Sequence, residues 1–197
     1  MSDWRKAFKR LVDMSVSALF LSTIFPFTFL TFGILIKLSS KGPVIFRQER
    51  HGLNGKVFTC YKFRTMVLND EADTESCSDD DPRVTTVGKL MRVTFIDELP
   101  QFYNVLKGDM SLIGPRPHML YHTKIFSEMV ENYSERLSVR PGLTGLAQMM
   151  GYNGEVKTPA DIRDRVRLDR FYIRHWSPLL DLWIFFKSFS SFIRFRH

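Results

Sequence analysis

The sequence predicts an α+β chain, mostly helical with a few short strands, held at a membrane through its N-terminal segment. Three observations carry that expectation. Met14 to Ile36 runs for 23 residues without a charged side chain. Val44-Ile45-Phe46 and Val57 to Tyr61 are β-branched and aromatic runs that flank a turn-like stretch, His51 to Gly55. Further on, a stretch bounded by Pro100 and Gly108 has the start and stop signals of a short helix. A chain of 197 residues is the size of one domain with its own core. We divide it into a membrane helix, residues 1–40, and a cytosolic and interfacial domain, residues 41–197.

A straight helix over Met14–Ile36, rising about 1.5 Å per residue, would just cross the roughly 30 Å hydrocarbon layer. Pro26 lies near its middle and removes one helical hydrogen bond, so a kink or break is expected there. Each half then reaches only about 18 Å, too short to span alone. Arg5, Lys6, Lys9 and Arg10 precede the run, and Lys37, Lys41, Arg47 and Arg50 follow it. Such symmetric basic flanks set no orientation by the positive-inside rule. They fit a helix that enters, turns at Pro26 and returns to the same face, and they also fit a kinked single pass. Ser22 and Thr23 are placed to bond carbonyls freed by the proline. No small-residue cleavage site follows, so a cleaved signal peptide is not expected.

Composition narrows the partner. A net charge of +7 favours an anionic one, whether lipid, nucleotide or nucleic acid. The 18 Phe crowd toward the two ends, where a membrane could use them. Cys60 and Cys77 lack metal-ligand neighbours and read as reduced thiols. The acidic stretch Asn69 to Pro82 is expected to be a solvated loop.

The helix after Pro100 places Asp97 and Glu98 beside unpaired backbone N–H groups. These would favour an ionised carboxylate and a nearby phosphate. An ionised Asp next to a second acid is what a carboxylate nucleophile with a metal ligand requires; helix capping alone also places acids there. In Gly114-Pro115-Arg116-Pro117-His118 two prolines stiffen the chain around Arg116, suiting a guanidinium aimed at phosphate. Arg140-Pro141-Gly142-Leu143-Thr144-Gly145 reads as a second such loop, able to bring backbone N–H groups to an anion. Ser177-Pro178 opens a C-terminal helix in which Trp183, Phe185, Phe186, Phe189, Phe192 and Phe195 mix with Lys187, Arg194 and Arg196. That pattern suits a helix lying in the headgroup zone, or one packed on the protein's own core.

Taken in order, Lys62-Phe63-Arg64-Thr65-Met66, Asp81-Pro82-Arg83-Val84-Thr85, Asp97-Glu98-Leu99-Pro100-Gln101, Gly108 to Pro117 and Arg140 to Gly145 resemble the small monotopic phosphoglycosyl transferases. These are bacterial sugar transferases, and the resemblance runs to Ser177 through Leu182. It implies a re-entrant anchor broken at Pro26, although Phe25 stands where some members have serine. It also implies Asp97 as nucleophile and Glu98 as a ligand of magnesium (Mg2+). Arg92 and Arg116 would then neutralise donor phosphates, with Lys62, Arg64, Arg83, Arg140 and Gln148 as further substrate-binding candidates; Asp169 and Asp181 match family positions with structural work. The implied reaction moves a sugar 1-phosphate from a UDP-sugar to polyprenyl (undecaprenyl) phosphate. UMP leaves, a phosphosugar–aspartyl intermediate forms, and ping-pong kinetics follow. The implied setting is the cytoplasmic face of the bacterial inner membrane, with lipid as a partner and a homodimer allowed. Larger relatives carry extra spans and a further domain, and this chain is expected to be the minimal catalytic form. The resemblance leans toward an N-acetylated amino sugar.

Two rivals stand beside this reading, one that keeps the catalytic class but changes the bond and one of a different class. A glycosyltransferase would release UDP and need no carboxylate attacking phosphorus. A non-catalytic anion-binding protein, the route by which nucleic acid would enter, needs basic and aromatic residues gathered on one soluble face; here the arginines are scattered among loops, so nucleic acid is not an expected partner.

Overall fold

The computed structural model describes residues 3–68, 81–156 and 158–194. Helix α1 (Asp3–Thr23) and helix α2 (Phe25–Ser39) meet at Ile24 with a bend of 57°. Pro26 sits in the first turn of α2, where its missing N–H breaks the ladder and its fixed φ suits a helix start. The hydroxyls of Ser22 and Thr23 both donate to the Leu19 carbonyl, at 3.1 and 2.6 Å. They therefore serve the turn before the break, not the carbonyl freed by the proline. Among the described residues no single helix is long and apolar enough to cross a membrane; the bent pair taken together has that length and composition.

The two arms of the bend grip the rest of the protein. On α1, Arg10 donates to the carbonyls of Val105 and Leu106, buried Asp13 accepts from the Leu112 N–H at 3.0 Å, and Phe20 stacks on Phe102. On α2, Ile36 joins Phe63 and Met91 in a small core, with Phe25 and Phe32 packed around it. The opposite faces leave Leu19, Phe27, Leu30 and Leu38 exposed. Pro26→Ala restores a backbone N–H and is expected to relax the bend. Reagent accessibility of single cysteines placed on either side, in a Cys60- and Cys77-free background, would report it; an unchanged pattern would mean that packing of the arms sets the angle.

Strands β1 (Ile45–His51) and β2 (Val57–Phe63) form an antiparallel hairpin, Ile45 opposite Phe63 and His51 opposite Val57. Asn54 and Gly55, both at positive φ, turn the chain between them. Both strands outrun their apolar signal, because β1 continues through polar residues whose alternate members, Gln48 and Arg50, face inward to the cleft described below.

Helix α3 (Thr86–Val93) is N-capped by the Thr85 hydroxyl. Helix α4 (Gln101–Lys107) ends at Gly108, φ 101°, as its glycine foretold. Strand β3 (Ser111–Ile113), helix α5 (Leu120–Met129), strand β4 (Gly142–Thr144) and helix α6 (Leu146–Met149) follow. The stretch Arg140–Gly145, read from sequence as a loop, supplies β4, which pairs in parallel with β3. Its glycines have a packing reason: a Cβ on Gly142 would fall 2.1 Å from the Gly114 nitrogen, and one on Gly145 2.1 Å from the Gly114 oxygen. The two glycine-proline segments clasp each other.

Helix α7 (Pro159–Arg174) opens with a reciprocal cap between Thr158 and Asp161. Helix α8 (Pro178–Arg194) is capped by Ser177, whose hydroxyl accepts from the Leu180 N–H at 3.1 Å. Leu180 and Ile184 pack on the main core with Tyr172 and Trp176, while Leu179, Leu182, Trp183, Phe185 and Phe186 are exposed. One face of this helix thus packs on the protein's own core, and the other is apolar and exposed. Most of the acidic stretch and Cys77, and the side chains of Phe189, Phe192, Arg194, Phe195 and Arg196, lie outside the described residues; Asp81, at the stretch's end, is buried against Arg83.

Candidate active site

Asp97 and Glu98 do not stand in the first turn of α4. They occupy a separate 3-10 turn, Ile96–Glu98, and Pro100 is the cap of the helix that follows. Phe95, just before them, adopts a left-handed conformation at φ 51°, ψ 16°. For a bulky residue this is strained, and such strain is kept where surrounding structure over-determines it. The Glu98 N–H already donates to the Phe95 carbonyl at 3.1 Å, so it is not a free anion donor.

Side-chain cations do what backbone N–H groups were expected to do. Lys62 Nζ, from the end of β2, lies 2.6 Å from Glu98 Oε1 and 4.0 Å from Asp97 Oδ2. Arg116 Nη2 lies 2.8 Å from Glu98 Oε1 and Nη1 3.4 Å from Oε2. Buried Asn104 fixes the strand to the helix, donating to the Thr59 carbonyl at 2.7 Å and accepting from the Tyr61 N–H at 3.1 Å. At the other end of α4, Arg10 and Arg140 bond the carbonyls of Val105, Leu106 and Gly108.

This arrangement splits the two acids. Burial raises the Asp97 carboxyl to about 6, against a partial pull from Lys62. Burial acts on Glu98 in the same sense, but Arg116 and Lys62 outweigh it and hold that carboxyl well below its usual range. Glu98 is thus the fixed anion, while Asp97, raised by burial to about 6, ionises as pH rises through that value.

The pair borders an open cleft of about 1000 Å³ that is also lined by Lys62, Arg64, Arg83, Arg92 and Arg116. Of these, Arg64 has its guanidinium committed to the carbonyls of Ser40, Lys41 and Pro43, closing the C-terminal end of α2. Arg83 grips Asp81 through both carboxylate oxygens. Arg140 and Gln148 lie outside the cleft lining; Gln148 donates weakly to the Leu143 carbonyl at 3.4 Å. Sequence reasoning passed over four cleft residues, Gln48, Arg50, His118 and Arg165. The i, i+2 spacing of Gln48 and Arg50, and the four-residue spacing of Asp161, Arg165 and Asp169, were the available signals.

Magnesium can be tested against the donor set. Among the described residues no three His, Cys, Asp or Glu side chains converge. The adjacent carboxylates of Asp97 and Glu98 fit an ion that takes one or two carboxylates and completes its shell with phosphate oxygens and water.

The family model described as bacterial sugar transferase matches residues 4–195. The chain is 46% identical over 188 residues to a UDP-glucose:undecaprenyl-phosphate glucose-1-phosphate transferase of Klebsiella pneumoniae, covering 94% of the chain and 40% of that protein. It is 41% identical to an Aeromonas hydrophila UDP-N-acetylgalactosamine-undecaprenyl-phosphate N-acetylgalactosaminephosphotransferase, covering 94% and 43%. With the exopolysaccharide production protein PSS of Rhizobium leguminosarum bv. phaseoli it shares 42% identity over 93% of the chain and 94% of the relative. The chain thus spans about two fifths of the first two proteins and nearly all of the third. Matched along almost its whole length, it belongs to the bacterial sugar transferase family.

Proposed function

We propose that the protein transfers a sugar 1-phosphate from a UDP-sugar to a polyprenyl phosphate at a membrane surface, with UMP as the leaving group. The observation that carries this reading is the split acid pair: a poised Asp97 beside a Glu98 anion clamped by Lys62 and Arg116, on the wall of a cationic cleft. Relatives named for UDP-sugars and undecaprenyl phosphate support the substrate class.

In this mechanism an Asp97 carboxylate oxygen attacks the sugar-linked phosphorus. The bond from that phosphorus to the bridging oxygen breaks, and UMP departs with the electron pair. A polyprenyl phosphate oxygen then attacks the same phosphorus, the bond to Asp97 breaks, and the carboxylate is regenerated as the lipid diphosphosugar leaves. Arg116, Lys62 and Arg92 offset charge on the phosphoryl oxygens. Bound by Glu98 beside Asp97, magnesium would supply further charge neutralisation. The exposed apolar faces of α1, α2 and α8 support seating at a lipid interface, where the acceptor's phosphate lies.

Nucleotide release tests the proposal. Purified protein with magnesium and undecaprenyl phosphate is expected to release UMP from a UDP-sugar. UDP-glucose is the first donor to assay, given the Klebsiella relative's name, and N-acetylated UDP-sugars follow. Release of UDP instead would identify the sugar-only transferase and remove the role of Asp97.

A further inference from the structure

Beyond Arg116 the cleft wall continues to His118 and Arg165, both buried. His118 Nδ1 lies 2.7 Å from the Tyr133 hydroxyl and 3.0 Å from Arg136 Nη1. A guanidinium can only donate, so Nδ1 is an acceptor. Burial and the neighbouring arginines hold the ring neutral, so its proton sits on Nε2. Among the described residues that Nε2–H has no hydrogen-bond partner, and neither has Arg165 Nε–H. Two buried donors without acceptors are costly unless a ligand supplies them.

Charge points the same way. Four arginines surround His118: Arg50, Arg116, Arg136 and Arg165. Arg116 is balanced by Glu98 and Arg136 by Asp169. Arg50 instead donates to Gln48 and the Pro117 carbonyl, and Arg165 to the Gly154 carbonyl; among the described residues neither has an ion-pair partner. The cleft beside the acid pair therefore brings together two arginines without a direct ion pair and two unused, buried N–H donors; Asp161 and Asp169 act on Arg165 without an ion pair to it, and beyond the acid pair Glu155 is the carboxylate among the described lining residues.

We propose that His118 Nε2–H, Arg165 and Arg50 form a phosphate-monoester subsite, next to the position where Asp97 reacts. It rests on the proposed transferase reading, whose two half-reactions each bring one such ester to the cleft: UMP as it leaves and the prenyl phosphate as it arrives. Neutral His118 gives a donor that does not change with pH, and the two arginines supply the charge.

Calorimetric titration of the detergent-purified full chain tests it with UMP, uridine, inorganic phosphate and a soluble short-chain prenyl phosphate. Arg165→Gln is expected to weaken at least one phosphate monoester by tenfold or more while leaving uridine unchanged. Loss for UMP assigns the subsite to the nucleotide, and loss for the prenyl phosphate to the lipid acceptor. His118→Phe, which removes both ring nitrogens, should act in the same direction, and melting curves keep folding defects separate. In the wild type, long-range nitrogen-15 NMR should show His118 protonated at Nε2. Unchanged affinity for all three phosphates in folded Arg165→Gln, a parallel loss of uridine, or a proton on Nδ1 would overturn the subsite. A wild type that released no UMP yet lost phosphate binding on mutation would count against the transferase reading alone.

Discussion

Asp97→Asn is expected to lower turnover by at least about four orders of magnitude and to leave no phosphosugar adduct on the protein. Loss of a covalent nucleophile acts on the whole reaction, whereas losing a binding group removes only a share of it. Steady-state UMP release and intact-protein mass spectrometry after donor addition would measure both; wild-type activity in Asp97→Asn would end the covalent mechanism. Stability should move the other way. The folded carboxyl, raised by burial to about 6, binds its proton more tightly than the unfolded one, whose ordinary value is 3.8. Stability from this group is therefore present below the unfolded value and lost as pH rises through about 6. An Asn that never ionises avoids that loss, so at pH 7.5 the variant should melt no lower than wild type. The same ionisation sets the acid limb of wild-type kcat/KM, which should fall as pH drops through about 6.

Asp169→Ala is expected to destabilise the fold by about 3–5 kcal/mol, because it strands a buried charge. Arg136 and Asp169 are both almost fully enclosed, with Arg136 Nη2 and Nε at 2.8 and 3.1 Å from Asp169 Oδ2. Arg136 also donates to the Arg116 carbonyl at 2.7 Å and to the Tyr133 hydroxyl. Removing the carboxylate therefore loosens the loop that aims Arg116 at Glu98. Chemical denaturation would report the loss, and the Arg136→Met, Asp169→Ala double variant should recover part of it. A double variant as unstable as the sum of the singles would show that the ion pair is not the source of the effect.

Much of the outline could be read from local chemistry. Pro26, Gly108 and Ser177-Pro178 act on their own backbone within a turn, so the break, the stop and the cap fall where the residues place them. The hairpin followed for the same reason, although its polar half carried no apolar signal. The ordered motifs from Lys62 to Gly145 also marked the family, since their residues are recognisable without coordinates.

What the sequence by itself determined, then, was the break at Pro26, the short strands and helices, the acid pair and the family. The electrostatic state of that pair was decided only by tertiary structure. Lys62 is 36 residues from Glu98 and Arg116 is 18 residues away, yet both meet its carboxylate. Burial raises Asp97 while those two cations hold Glu98 down, and neither force has a sequence signature. The same holds for Arg64, Arg140 and His118, whose roles depend on which distant carbonyls or rings pack against them. Desolvation and long-range pairing arise from the packed fold, and a motif can name the residues involved without saying which of them will carry the charge.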